Sequence, residues 1–277
     1  MSDKILALSK KKIIIAAHRG SAAGNIPCNT LPAYRAALED GADMIEIDVD
    51  MSCDGKLYIF HPGMERAHLG FDGSIQRMTA DEISALRYLN YDRTPTQFPL
   101  NTLDEVLEEF AGKCLINVDK FWGHPKEIYE AIKRHGMTDS VIVKSSPDEK
   151  VFTVLRELAP TLPYMPIVSG THPVHERLIA SGINYVGAEV LFTSDTDTVA
   201  TPEFIDMMHR DGKLVWVNSI IYNHKRQLAA GHSDDLAIES DKGGSWGNLA
   251  RRGFDIIQTD WTGKISVYLD SCGLLYK

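Results

Sequence analysis

The chain has 277 residues, 44% of them hydrophobic, and a formal net charge of −9. This size and apolar content suffice for one large core, and the acidic balance argues against nucleic acid as a partner, though a locally basic pocket can still hold one phosphate. Cys28, Cys53, Cys114 and Cys272 lack metal-binding spacing, and the lysine-bearing stretch 1–12 precedes only five apolar residues; neither a signal peptide nor a membrane partner is expected, and a reducing cytoplasm is.

Residues 13–17 form an apolar run suited to a strand buried on both faces, and it stops at His18-Arg19-Gly20. A helix is expected over 30–40, then a strand over 44–49. Strand side chains alternate, so Glu46 and Asp48 point one way and Ile45, Ile47 and Val49 the other. Two carboxylates aimed together repel unless a cation sits between them. Asp54-Gly55 is a hairpin turn that folds residues 56–61 back along that strand and brings His61 to the acids. Two histidines, an arginine and two carboxylates together suit phosphodiester cleavage.

Residues 62–101 read as an insertion with a short helix over 79–87, led by Thr79, Asp81 and Glu82. Further strands are expected over 114–119, 140–144, 164–168, 185–190, 214–218 and 255–259. Helices are expected over 102–111, 125–135, 147–158, 173–181, 202–211 and 245–252, and a long, lid-like loop over 221–245. Excluding the hairpin, eight strands alternate with helices. The expected fold is a (β/α)8 TIM barrel, one domain over 1–277, with its site at the C-terminal strand ends.

The ordered set His18-Arg19-Gly20, Asn29-Thr30, Gly41-Ala42-Asp43, Glu46-Ile47-Asp48-Val49, Asp54-Gly55 and His61, with Gly253-Phe254-Asp255-Ile256-Ile257-Gln258-Thr259-Asp260 near the other end, resembles the glycerophosphodiester phosphodiesterase family. The resemblance implies an insertion over the active site and a third metal ligand on the next barrel strand, where Asp119 stands for the usual Glu. Phe121 occupies the place of the family's phosphate-binding lysine, leaving Lys144 and Lys120 as candidates, although strand alternation aims Lys120 away from Asp119. Glu46, Asp48 and Asp119 suit one hard divalent ion, Mg²⁺ or Ca²⁺, more than zinc. Arg19 is expected to hold the phosphodiester, and His18 and His61 to divide the proton transfers, with acid and base unassigned. Trp216 is a candidate stacking surface for the substrate; Trp246 and Trp261 are weaker ones.

Two positions depart from the family pattern: Pro62 follows His61 where Asp is usual, and Cys28 replaces a common Glu. The expected function is metal-dependent hydrolysis of a small phosphodiester, within lipid metabolism. An agrocinopine-type sugar phosphodiester, within opine catabolism, is the alternative substrate. A catalytically silent phosphate sensor, supported by Pro62, and a lyase resembling spider-venom phospholipases D are the other classes. His68, His124, His172, His175, His209, His224 and His232 are assigned to surface or loop roles, and the oligomeric state is left open.

Overall fold

The computed structural model describes residues 3–223 and 225–277; His224 lies outside them. In chain order the elements are α1 (Asp3–Ser9), β1 (Ile14–Ala17), α2 (Leu31–Glu39), β2 (Met44–Met51), β3 (Leu57–Ile59), α3 (Glu65–His68), α4 (Ala80–Ser84), α5 (Leu103–Phe110), β4 (Leu115–Asp119) and α6 (Pro125–Arg134). Then come β5 (Val141–Ser145), α7 (Glu149–Glu157), β6 (Tyr164–Ser169), α8 (His175–Ile179), β7 (Gly187–Leu191), α9 (Pro202–Arg210) and β8 (Leu214–Asn218). The hairpin β9 (Ile221–Asn223) and β10 (Arg226–Gln227), α10 (Asp234–Glu239), α11 (Trp246–Arg251), β11 (Ile256–Thr259) and α12 (Thr262–Ser271) complete the chain.

Eight parallel strands, β1, β2, β4, β5, β6, β7, β8 and β11, neighbour one another in that order, and β11 pairs with β1 to close the ring. This is the expected (β/α)8 barrel. The extra strand β3 runs antiparallel to the end of β2, with Val49 opposite Ile59, as the Asp54-Gly55 turn predicts. Ile45, Ile47 and Val49 face outward into one apolar layer with Leu103, Val106 and Leu107 of α5. Inward-facing Ile14, Met44, Leu115, Met165 and Ile256 fill the lower barrel, where Ile5 of α1 joins them as a plug. Polar groups such as Glu46, Asp48 and Asp119 are thereby displaced toward the upper ends of the strands.

Residues 62–101 gather their own small core, in which Ile75, Ile83, Tyr88 and Leu100 pack on Tyr58 and Phe60. Within it, α4 begins at the expected Thr79, whose hydroxyl and Glu82 form a reciprocal cap. The segment 221–245 is not the plain loop expected: it holds the β9–β10 hairpin and α10. Ser233 accepts from the Leu236 N–H, and Asp234 and Asp235 lie in the first turn of α10, a helix start written in polar residues. Among the described residues no helix is long and apolar enough to cross a membrane.

At the lower end of the barrel Asp255 accepts from the Val215 N–H at 2.9 Å, His209 Nε2 at 2.8 Å and Lys277 Nζ at 2.7 Å. Burial works against the Asp255 carboxylate, but His209 and Lys277 outweigh it and hold its pKa below 3.8; the same hydrogen bond raises that of His209 above 6.5. The Asp255 contribution is present above pH 3.8 and disappears as pH falls through its lowered value. That of His209 is present below pH 6.5 and disappears as pH rises through its raised value. Asp255→Asn is therefore expected to cost about 2 kcal/mol in urea unfolding at pH 6. It should also remove the His209 share of the stability that the parent is expected to lose on going from pH 6 to pH 9.

Candidate active site

Parallel register builds the acid cluster. Asp48 on β2 lies beside Asp119 on β4, and Glu46 lies beside Asn117 one layer lower. Ligand oxygens of Glu46, Asp48 and Asp119 all fall within 4.8 Å of one another. Burial and the neighbouring Asp48 push the Glu46 carboxyl up to about 7, because two carboxylates in a dry site resist ionising together. Asp48 Oδ1 and Asp119 Oδ1 are buried without a hydrogen-bond partner. Free oxygens converging from an all-carboxylate set are the donors that a hard divalent cation takes.

The loop after β1 braces these acids. Gly20 has φ +77, and a Cβ there would lie 2.7 Å from the carbonyl carbon of Ala33, so the loop can rest on α2 only with glycine. Arg19 (φ 57) donates its backbone N–H to Glu46 Oε2 at 3.0 Å, and its Nε lies 2.9 Å from Asp48 Oδ2. Asn29, also left-handed at φ 58, donates Nδ2 to the same Asp48 oxygen at 2.9 Å while its Oδ1 accepts from the Tyr34 hydroxyl at 2.8 Å. Asn29 belongs to the quoted family motif, yet its role as the Asp48 anchor has no signal in the spacing alone.

The two histidines are held unequally. His18 Nδ1 bonds the Asp260 carboxylate at 2.8 Å. Burial opposes the charged ring, but the Asp260 bond and the Glu46 charge win, raising the pKa above 6.5. His61 Nδ1 lies 2.9 Å from the Pro62 carbonyl, which can only accept, so Nδ1 carries the proton and Nε2 keeps its lone pair. Burial, aided by the cations Arg19 and Lys120, lowers the His61 pKa. Pro62 thus supplies a backbone acceptor where an acid was expected. Asp260 was missed as a functional residue, although it ends the last strand as His18 ends the first and β1 pairs with β11.

The two candidate lysines occupy different places. Lys120 adopts φ 60, which breaks strand alternation and swings its ammonium back to 2.8 Å from Asp119 Oδ2 and 3.8 Å from Asp48 Oδ1, contrary to the expectation that it points away. Its side chain is 21% exposed. Lys144 is 3% exposed and ion-paired with Glu189 at 2.5 Å, with Nζ 4.0 Å from the centre of the Trp216 ring. Lys144 and Lys120 together hold the Asp119 pKa below 3.8 against its burial. Trp216 cannot serve as the expected stacking surface: it is fully buried, points into the barrel core beside Ile5 and is covered by Lys144. Trp246 is likewise buried, its Nε1 donating to Asp234. His175 departs from its surface assignment too, being buried between Tyr185 and Asp211.

A cleft of about 1100 Å³ opens beside the acid cluster, between the loop after β1 and α12, with His18, Arg19, Cys28 and Asp260 at one end. Burial pushes the Cys28 thiol up to about 11, so it is uncharged near neutral pH.

The model of the glycerophosphoryl diester phosphodiesterase family matches residues 18–219. An uncharacterised Bacillus subtilis protein, YqiK, is 29% identical over 175 residues, which cover 60% of this chain and 71% of that protein. A glycerophosphodiester phosphodiesterase of Caldanaerobacter subterraneus is 30% identical over 142 residues, or 48% of this chain and 58% of the relative. The crystal structure of a glycerophosphoryl diester phosphodiesterase from Parabacteroides distasonis superposes with a TM-score of 0.80 at 19% identity, covering 98% of this chain and 92% of that one. A phosphodiesterase from Oleispira antarctica, solved with the product sn-glycerol-3-phosphate, superposes with a TM-score of 0.69 at 21% identity, covering 94% and 97%. These two likenesses show the shared fold. With a family model that spans most of the barrel, the chain belongs to the glycerophosphoryl diester phosphodiesterase family and is a phosphoric diester hydrolase.

Proposed function

We propose that the chain hydrolyses a glycerophosphodiester to glycerol phosphate and an alcohol, with His61 as general base and His18 as general acid. The observation that carries this reading is the unequal hydrogen bonding of the two histidines beside one acid cluster. His61 donates Nδ1–H to the Pro62 carbonyl and offers a bare Nε2, the form a base needs. Asp260 beside His18 Nδ1 favours the protonated ring, the form an acid needs. As an O–H oxygen attacks phosphorus, its proton passes to His61 Nε2; the P–O bond to the leaving alcohol breaks, and that oxygen takes the proton of His18.

Glu46, Asp48 and Asp119 would hold one divalent cation, Mg²⁺ or Ca²⁺, which when bound neutralises phosphoryl charge as a Lewis acid. Arg19, anchored at Asp48 through Nε, has further N–H donors for a phosphoryl oxygen. Lys120, at the opening of the cluster, is the lysine suited to the phosphate; Lys144, tied to Glu189 below, balances the acids from inside the barrel.

His18→Ala and His61→Ala are each expected to lower kcat by about 10²- to 10⁴-fold on glycerophosphocholine, read by phosphorus NMR, with circular dichroism unchanged. Folded variants that kept most of their activity would remove both histidines from the mechanism. A cyclic phosphate that persists in the same spectra would mark a lyase in place of a hydrolase.

Turnover requires His61 deprotonated and His18 protonated, so kcat/KM should rise with pH through the lowered pKa of His61 and fall through the raised pKa of His18. Asp260→Asn is expected to move the alkaline limb to lower pH and leave the acidic limb in place; an unmoved alkaline limb contradicts the assignment. Asp119→Asn should weaken Ca²⁺ binding in calorimetry by more than the roughly tenfold typical of an outer partner, and unchanged binding would displace the cation from this cluster.

A further inference from the structure

Beyond His18, Arg19 and Asp260, the residues that line the cleft beside α12 play no part in the chemistry described so far. His18 and Arg19 form its inner end, whereas His61 and the three carboxylates do not line it. It therefore meets the site from the side of one histidine only. Trp261, 45% exposed, and Val267, 71% exposed, present apolar surface along it, and the Tyr268 ring adds a second aromatic wall.

We propose that this cleft is the subsite for the leaving alcohol, and that it takes a polyhydroxylated ring of the glycosyl or inositol kind. The inference rests on the reading above in one respect, that His18 is the group that protonates the departing oxygen. The alcohol must then lie on the His18 side of phosphorus, which is where the cleft begins. When the P–O bond breaks, its oxygen takes the His18 proton and the neutral alcohol departs along the cleft.

Three features choose the class of alcohol. A volume of about 1100 Å³ exceeds by far what ethanolamine, choline or glycerol fills. Arg19, Lys242 and Lys264 line the cleft with Glu39, Asp40 and Asp260, so opposite charges match in number and select neither a cationic nor an anionic group, and Cys28 adds only a neutral thiol. These charged side chains would be costly to cover with an acyl chain. An exposed indole in a cleft that also carries the Ser21 and Ser271 hydroxyls suits a ring with an apolar face and a hydroxylated edge.

The test compares glycerophosphoinositol with glycerophosphoethanolamine, which yield the same glycerol phosphate, on the full chain supplied with Mg²⁺ or Ca²⁺. The ratio of their kcat/KM values is expected to favour the inositol ester at least tenfold. Trp261→Ala should lower that ratio about tenfold through KM for the inositol ester, and Val267→Trp, which narrows the cleft, should lower it as well. A parent ratio near one, or a Trp261→Ala loss equal for both esters, overturns the proposal while leaving the phosphodiesterase reading intact. Saturation-transfer NMR with free myo-inositol tests the subsite without turnover. Transfer that Trp261→Ala abolishes supports it even if neither ester is cleaved, a result that would count against the phosphodiesterase reading alone; no transfer to the parent protein overturns the subsite.

Discussion

Three carboxylates converging at the dry end of a barrel constrain everything around them. Parallel register puts Asp48 beside Asp119, and alternation stacks Glu46 below. Their mutual repulsion is answered by cations and donors drawn from different elements: Arg19 and Asn29 from the loop after β1, Lys120 from the end of β4 and Lys144 from β5. Arg19, Asn29 and Lys120 all adopt positive φ, at about 1 kcal/mol or more each for a non-glycine residue. Strain concentrated at the acids indicates that geometry there is set by electrostatics more than by backbone preference.

Lys144 is the inner half of this arrangement. It is enclosed by Glu189 and the Trp216 ring, and Asn218 donates to the other oxygen of Glu189 at 2.7 Å. Burying an ion pair in the barrel costs desolvation that apolar packing would avoid. Its placement sets positive charge beneath the three carboxylates. The polar layer separates the catalytic end from the apolar plug supplied by α1.

Most of the frame is legible in the chain because burial writes periodicity into it. The eight strands, the inward Glu46 and Asp48, the Asp54-Gly55 hairpin and the Thr79 cap all follow from local pattern. What local pattern does not carry is a dihedral choice or a partner distant in sequence. Lys120 defied alternation through one positive φ, and Trp216 appeared available because alternation does not reveal that Lys144 covers it. The acceptor of His61 is a backbone carbonyl, and that of His18 lies 242 residues away. The family match ends at residue 219, so Asp260, Trp261 and α12 lie beyond it, though the superposed barrels extend across nearly the whole chain.

The lower end of the barrel joins the two ends of the described chain. The Ile13 N–H donates to the Leu275 carbonyl, the Lys277 N–H to that of Lys11, and Lys277 Nζ reaches Asp255, while α1 seals the floor. Residues 3 and 277 thus sit on the face opposite the three carboxylates. A surface tether attached on this lower face would hold the barrel with its acid cluster turned toward solution.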